Sequence, residues 1–212
     1  LTAEWTRRRD SLARSLGGQV AYQATIQFNL GAGELSVVSV PGEFTKAARD
    51  LRNLEHGKVF LYPGEQMANG VIVEKEAVSR LLLTSLQAHD QSILFVIRQT
   101  PEEYRRSQQP PDKPMMKEVS AFPDSRPVSY WEDIDTHLAV ETSRSTAETA
   151  GILSFFVQEL KQDGWLIPGD APGPSSSVLM GLKGLQVCCV SIRSNAGGER
   201  FITVLHKTLG KK

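Results

Sequence analysis

Apolar residues recur along this chain with two periods. In the second half, Ala150, Ile152, Leu153, Phe156, Val157 and Leu160 follow helical spacing and make one apolar face. Ser145 and Glu148 just before them have the spacing of a capping box, so a helix is predicted to start at Ser145. Lys161 suits the last turn and Gly164 the left-handed stop, with Trp165 and Leu166 anchoring the exit in the core. Beyond it, residues 177–182 and 185–193 read as strands joined at Lys183-Gly184, and a turn at 194–198 leads into a third strand at 200–206.

The first half has the same order of parts. Phe44, Ala47, Ala48, Leu51 and Leu54 form a shorter helical stripe closed by His56-Gly57. Residues 59–62 lead to Pro63-Gly64, as Leu166 and Ile167 lead to Pro168-Gly169. Residues 71–73, 80–86 and 92–98 then supply three strand-like segments, with a turn at 88–91. Strand-like sequence also precedes each helix, at 21–28 and 34–40 around Gly31 and Gly33, and at 128–131 and 138–140. Strand, strand, helix, three strands is thus expected twice, a repeat of roughly 90 to 100 residues.

The predicted fold class is α+β: two related units, each an amphipathic helix on an antiparallel sheet. Residues 1–18 read as an N-terminal helical segment ending at Gly17-Gly18, with Trp5, Leu12 and Leu16 on one side. Residues 19–100 make the first unit and 119–212 the second. Residues 101–118, rich in proline and polar side chains, read as a linker. The three arginines Arg7, Arg8 and Arg9 read either as a solvated face or as a run near a membrane surface.

The second half, with Phe122-Pro123-Asp124-Ser125, the helix ending Gly164-Trp165 and the strands at 178–192 and 200–206, resembles a family of small bacterial exported or membrane-anchored α+β domains. Those domains open on Tyr-Pro-Gly-Ser; here Asp124 stands where they carry glycine. The resemblance covers residues 120–209 and implies a location in the periplasm or cell envelope of a bacterium. It brings no catalytic residue with it.

Composition narrows the partners. The 24 lysines and arginines balance the 24 aspartates and glutamates, so no global field draws the chain to nucleic acid or an anionic membrane. No apolar run approaches the roughly 20 residues that span a bilayer. Because the chain opens on Leu1, an upstream signal or membrane anchor is an open expectation, and cytoplasmic residence is not inferred. Cys188 and Cys189 are neighbours in a strand, point to opposite faces, and read as unpaired thiols filling a sheet.

No phosphate loop, dinucleotide fingerprint, zinc-protease helix or nucleophile elbow occurs in the sequence. His56, His89, His137 and His206 are scattered and lack a local orienting partner. In WEDIDTH, an extended chain would set Asp133, Asp135 and His137 on one face as ligands for a divalent cation; an exposed acidic turn explains the same letters. Arg105-Arg106 beside Tyr104 falls in the polar linker, and mainly aliphatic strands offer no base-stacking platform. The sequence therefore assigns no catalytic, cofactor-binding or metal residue and no cofactor. It leads us to expect a noncatalytic envelope protein that binds an unidentified protein partner or assists assembly. The alternative is a protein that binds a lipid or peptide in a groove between the units.

Overall fold

The computed structural model describes residues 3–55, 59–61, 66–86, 90–168, 177–195 and 197–210. The chain is α+β, and among these residues there are four helices and eleven strands, every strand pairing antiparallel. Two compact units emerge: Leu1–Thr25 with Gly31–Arg105, and Ile26–Leu30 with Arg106–Lys212. The main division thus falls at Arg105/Arg106, inside the stretch expected as a linker.

The first unit contains α1 (Ala3–Ser15), β1 (Gln19–Phe28, whose last three residues belong to the second unit), β2 (Gly31–Pro41) and α2 (Phe44–Leu54). Then come β3 (Val59–Leu61), β4 (Met67–Val73), β5 (Val78–Leu86) and β6 (Gln91–Gln99). Its strands lie in the order β3-β4-β5-β6-β2-β1. Alternation decides which side chains are covered: Val38, Val40, Ala68, Leu81, Leu83 and Leu94 point to one face, where they meet Ala47, Ala48 and Leu51 of α2 and Ala13 of α1. Each fully buried leucine there contributes roughly 1.5–3 kcal/mol by leaving water.

The two glycines after α1 are required for different reasons. Gly17 takes φ +66° and donates to the Arg14 carbonyl while Gly18 donates to Ala13, a Schellman closure. Gly18 then lies so close to β2 that a Cβ would sit 2.3 Å from the Ser39 carbonyl oxygen. The predicted stop at Gly17-Gly18 is where α1 ends.

Residues 101–107 form a helix, α3 (Pro101–Ser107), where the proline count predicted a linker. Pro101 sits at the first helical position, where a missing N–H costs nothing, and Thr100 Oγ1 accepts from the Glu103 N–H. The Glu103 carboxylate accepts in turn from the Ala32 N–H of β2 at 2.6 Å, which ties the helix to its own unit.

The second unit contains β7 (Arg126–Asp133), β8 (Leu138–Ser145), α4 (Thr149–Gln162), β9 (Val178–Lys183), β10 (Gln186–Ser194) and β11 (Arg200–Thr208), in the order β7-β8-β11-β10-β9. Ile26 to Phe28 pair with β7 at its outer side. Ile152, Leu153, Phe156 and Leu160 of α4 are buried against Cys188, Val190, Ile202 and Val204, as the helical stripe predicts. Ala150, counted in that stripe, is exposed.

The start of α4 differs from expectation. Ser145 is the last residue of β8, held opposite Arg200 of β11, so the sheet ladder takes the residue that the capping box would use. Ser145 Oγ accepts from the Ala147 N–H, and the Glu148 carboxylate is taken by Arg200 Nη2 at 2.9 Å. The helix exit does form as read: Gly164 at φ +80° donates to Lys161, and Trp165 donates to Leu160. Trp165 is buried, whereas Leu166 is 67% exposed and contributes its backbone instead, bridging to Leu182.

Before β7 the chain turns at Phe122-Pro123-Asp124-Ser125, where Ser125 N–H donates to the Phe122 carbonyl and Asp124 takes φ +59°. A turn with proline second and a left-handed third residue favours glycine there and admits aspartate, so Asp124 occupies the glycine's conformation without being one. The predicted features at His56-Gly57, Tyr62, Pro63-Gly64, Ala88, His89 and Gly169 lie outside the described residues.

Candidate partner-binding surface

In the first unit, the side chains that alternate away from α2 form the opposite sheet face. Strand register sets them in rows: Phe60, Asn69, Leu82, Phe95 and Val37 lie side by side, and Val71, Arg80, Ile97 and Leu35 form the next row. Phe60 is 68% exposed, Val73 66% and Val71 42%. A one-sided antiparallel sheet ordinarily places polar residues on its solvent face. Here β5 and β6 carry unbroken apolar runs at 81–83 and 93–97, so both faces are apolar although α2 covers only one.

One edge of this face is closed by Tyr104 of α3, over whose ring the Arg80 guanidinium lies 4.8 Å from the centroid. The aromatic ring that the sequence set beside Arg105 and Arg106 thus serves Arg80, while Arg105 Nε donates to its own helix at the Pro101 carbonyl. Arg8 and Arg9 are also engaged within the unit. Arg8 pairs with Glu55 and Glu74, and Arg9, nearly buried, with Asp10.

In the second unit, a pocket of about 510 Å³ is lined by Arg106, Lys117, Glu118, Tyr130 and Glu132, among others. The Tyr130 hydroxyl donates to Glu132 Oε2 at 2.7 Å. Burial first, then that hydrogen bond and the nearby carboxylates, push the Tyr130 phenol well above its ordinary value. At neutral pH it is a hydrogen-bond donor rather than a base or nucleophile.

WEDIDTH forms a turn. Asp133 ends β7 and is buried, its carboxylate accepting from the Asp135 N–H, the Thr136 N–H and the Thr136 hydroxyl. His137 takes φ +52° at the turn's end, so the extended ligand face pictured for Asp133, Asp135 and His137 does not form. Among the described residues, no three His, Cys, Asp or Glu side chains are grouped to hold a metal ion. Cys188 and Cys189 are both unpaired, the first buried and the second half-buried on the other face. Burial, reinforced by Cys189, raises the Cys188 thiol to about 12, which keeps it protonated and inert.

His206 is buried, edge-on to Trp165 at 6.0 Å between centroids. Burial lowers its pKa, and the Glu118 carboxylate partly opposes that shift. An unfolded histidine titrates near about 6.5. Below that pH the unfolded chain takes up a proton that the folded one resists, so this stability is complete above about 6.5 and is lost as pH falls through the folded value. The urea midpoint of the second unit should therefore decline between pH 7.5 and 5 more steeply in the native protein than in His206→Gln; equal slopes would rule His206 out as the cause.

Among the described residues, no helix is long and apolar enough to cross a membrane. Compared with known proteins, the chain matches no family model, no curated protein and no solved structure.

Proposed function

We propose that this chain is a noncatalytic interaction or assembly factor of the bacterial cell envelope, and that it meets a protein partner through the open sheet face of the first unit. The observation that carries the reading is the mainly apolar row Phe60, Asn69, Leu82 and Phe95, with Val71 and Arg80 in the next row, facing away from α2. Contiguous apolar surface of this kind is costly to leave in water, and proteins retain it where a partner covers it. Envelope residence is supported by the resemblance at 120–209. The noncatalytic reading is supported by the uses already found for the reactive groups: Asp133 holds a turn, Cys188 fills a core, and the Tyr130 phenol is held protonated.

Descent of the two units from one repeated ancestor is part of the proposal. It is supported by the common element order and by strand order, since β1-β2-β6-β5-β4 and β7-β8-β11-β10-β9 follow the same path, with β3 added in the first. The test is in-cell photo-crosslinking of the full-length protein from position 82, followed by mass spectrometry. One envelope protein should be captured reproducibly, and Val71→Lys with Leu82→Lys should reduce its co-purification by roughly tenfold or more at unchanged melting temperature. Undiminished co-purification, or a purely cytosolic partner, would sink the reading. A second reading, binding of a small ligand, draws on the pocket at Tyr130; its mixture of carboxylates and cations favours a polar ligand over a lipid.

A further inference from the structure

The outer face of the second unit differs from that of the first in being chemically graded. Along β8, β10 and β11 the inner side chains are buried against α4 and the alternate ones are half-buried or exposed. Register arranges the outer ones in successive rows. Leu182, Val187, Lys207, Leu138 and Asp133 come first, with Lys207 Nζ donating to the Thr136 carbonyl and Asp133 holding its turn. Met180, Cys189, Leu205, Val140 and Trp131 form an apolar row, and Val178, Ser191, Thr203, Thr142 and Ser129 a row mainly of hydroxyls. Arg193, Phe201, Arg144 and Arg126 follow as a basic row.

The basic row is not explained by stability. Arg126 and Arg144 are directly opposite in adjacent strands, and like charges so placed repel. The Arg144 ion pair with Glu199 spans 3.8 Å between exposed groups and offsets little in water. Arg126 and Arg193 have no ion-pair partner among the described residues.

We propose that this face docks an amphipathic helix of a partner protein, seated on the apolar and hydroxyl rows with an acidic flank turned to Arg126, Arg144 and Arg193. Dimensions and charge both argue for that occupant. Five strands at about 4.8 Å spacing give a row length of about 19 Å, matched by a helix of about 13 residues. From Val140 to Arg144 the rows are about 13 Å apart at roughly 3.3 Å per residue, so a helix about 10 Å wide places its flank within arginine reach. A bilayer lying flat against this face presents the same chemistry everywhere in its plane and does not match a face that changes from apolar to hydroxyl to cationic across one direction. The described helices of a second copy do not supply the occupant either: α1 and α2 carry more basic than acidic residues, α3 has only seven residues with two arginines beside its two glutamates, and the apolar side of α4 is buried.

The surface is distinct from the one proposed above, so the two can fail separately. The test is photo-crosslinking of the full-length protein in cells from position 142, with the captured peptide sequenced, in the native background and in Arg126→Glu with Arg193→Glu. The expected adduct is a protein segment of helical periodicity bearing Asp or Glu along one side, its yield falling roughly tenfold or more on charge reversal. Arg126→Glu faces Arg144 with an opposite charge, so the melting temperature should hold or rise, separating lost docking from lost folding. Adducts with lipid, nucleic acid, a second copy or a non-acidic segment overturn the proposal, as does an unchanged yield or no adduct. Retention of the position-82 capture in any of those cases leaves the first surface standing.

Discussion

Replacing Asn29 with alanine should destabilise the second unit by about 2–6 kcal/mol, because two buried backbone groups lose the partner they share. Asn29 is buried, and its amide serves two backbone groups at once: Nδ2 donates to the Ser107 carbonyl at 2.9 Å, and Oδ1 accepts from the Tyr130 N–H at 2.8 Å. Its own N–H donates to the Tyr130 carbonyl, and its φ is +50°. Alanine leaves both backbone groups buried without that partner, at about 1–3 kcal/mol each, and keeps the Cβ that asparagine already carries in the left-handed region. Asn29→Gly loses the same two hydrogen bonds but relieves that Cβ, so it should be milder than alanine by about 1 kcal/mol. Urea unfolding followed through Trp131 and Trp165 measures both. Equal losses for glycine and alanine would show that backbone conformation contributes nothing here, and a loss below about 1 kcal/mol would remove the amide from the account.

Glu141→Ala should cost about 3–4 kcal/mol and loosen the segment around 115–119. Glu141 is buried in β8, and its Oε2 accepts from two successive backbone N–H groups, Met115 at 2.6 Å and Met116 at 2.9 Å. Met116 and Val119 thereby seat in the core beside Tyr130 and Phe156. Both bonds converge on one oxygen, which a glutamine carbonyl can imitate without the charge, so Glu141→Gln should lose only about half as much. Hydrogen exchange at Met115 and Met116 is the direct readout. Protection unchanged in Glu141→Ala would mean that the segment is held by Met116 and Val119 alone.

Neither residue stands out in the sequence, and the reason is the same for both. Asn29 and Glu141 fall just past the segments read as strands, 21–28 and 138–140, and their partners lie 78, 101, 26 and 25 residues away. Sequence separation of that size leaves no local pattern. Local patterns were legible where the deciding interactions are local. Gly17 and Gly164 end α1 and α4 through bonds to carbonyls three and five residues back, and the stops are where the glycines predict them. The capping box at Ser145 failed because its donors and acceptors were equally available to a distant strand, and Arg200 with β11 claimed them. Within the stretch read as a linker, residues 101–107 are helical because Pro101 and Thr100 favour a helix start that the count of prolines concealed.

The candidate surfaces divide in the same way. Continuous apolar runs at 81–83 and 93–97 announce strands apolar on both faces. Which face stays uncovered by α2 follows only from where α2 lies. The three arginines of the second unit's basic row are separated by 18 and 49 positions in the chain, and nothing local joins Arg126, Arg144 and Arg193. The sequence by itself determined the α+β class, the glycine stops of α1 and α4 and the alternation that builds each sheet, because these depend on backbone conformation and near neighbours. Tertiary structure alone decided the register that aligns distant residues into rows and the face that each helix covers, because both arise from pairing between strands remote in the chain.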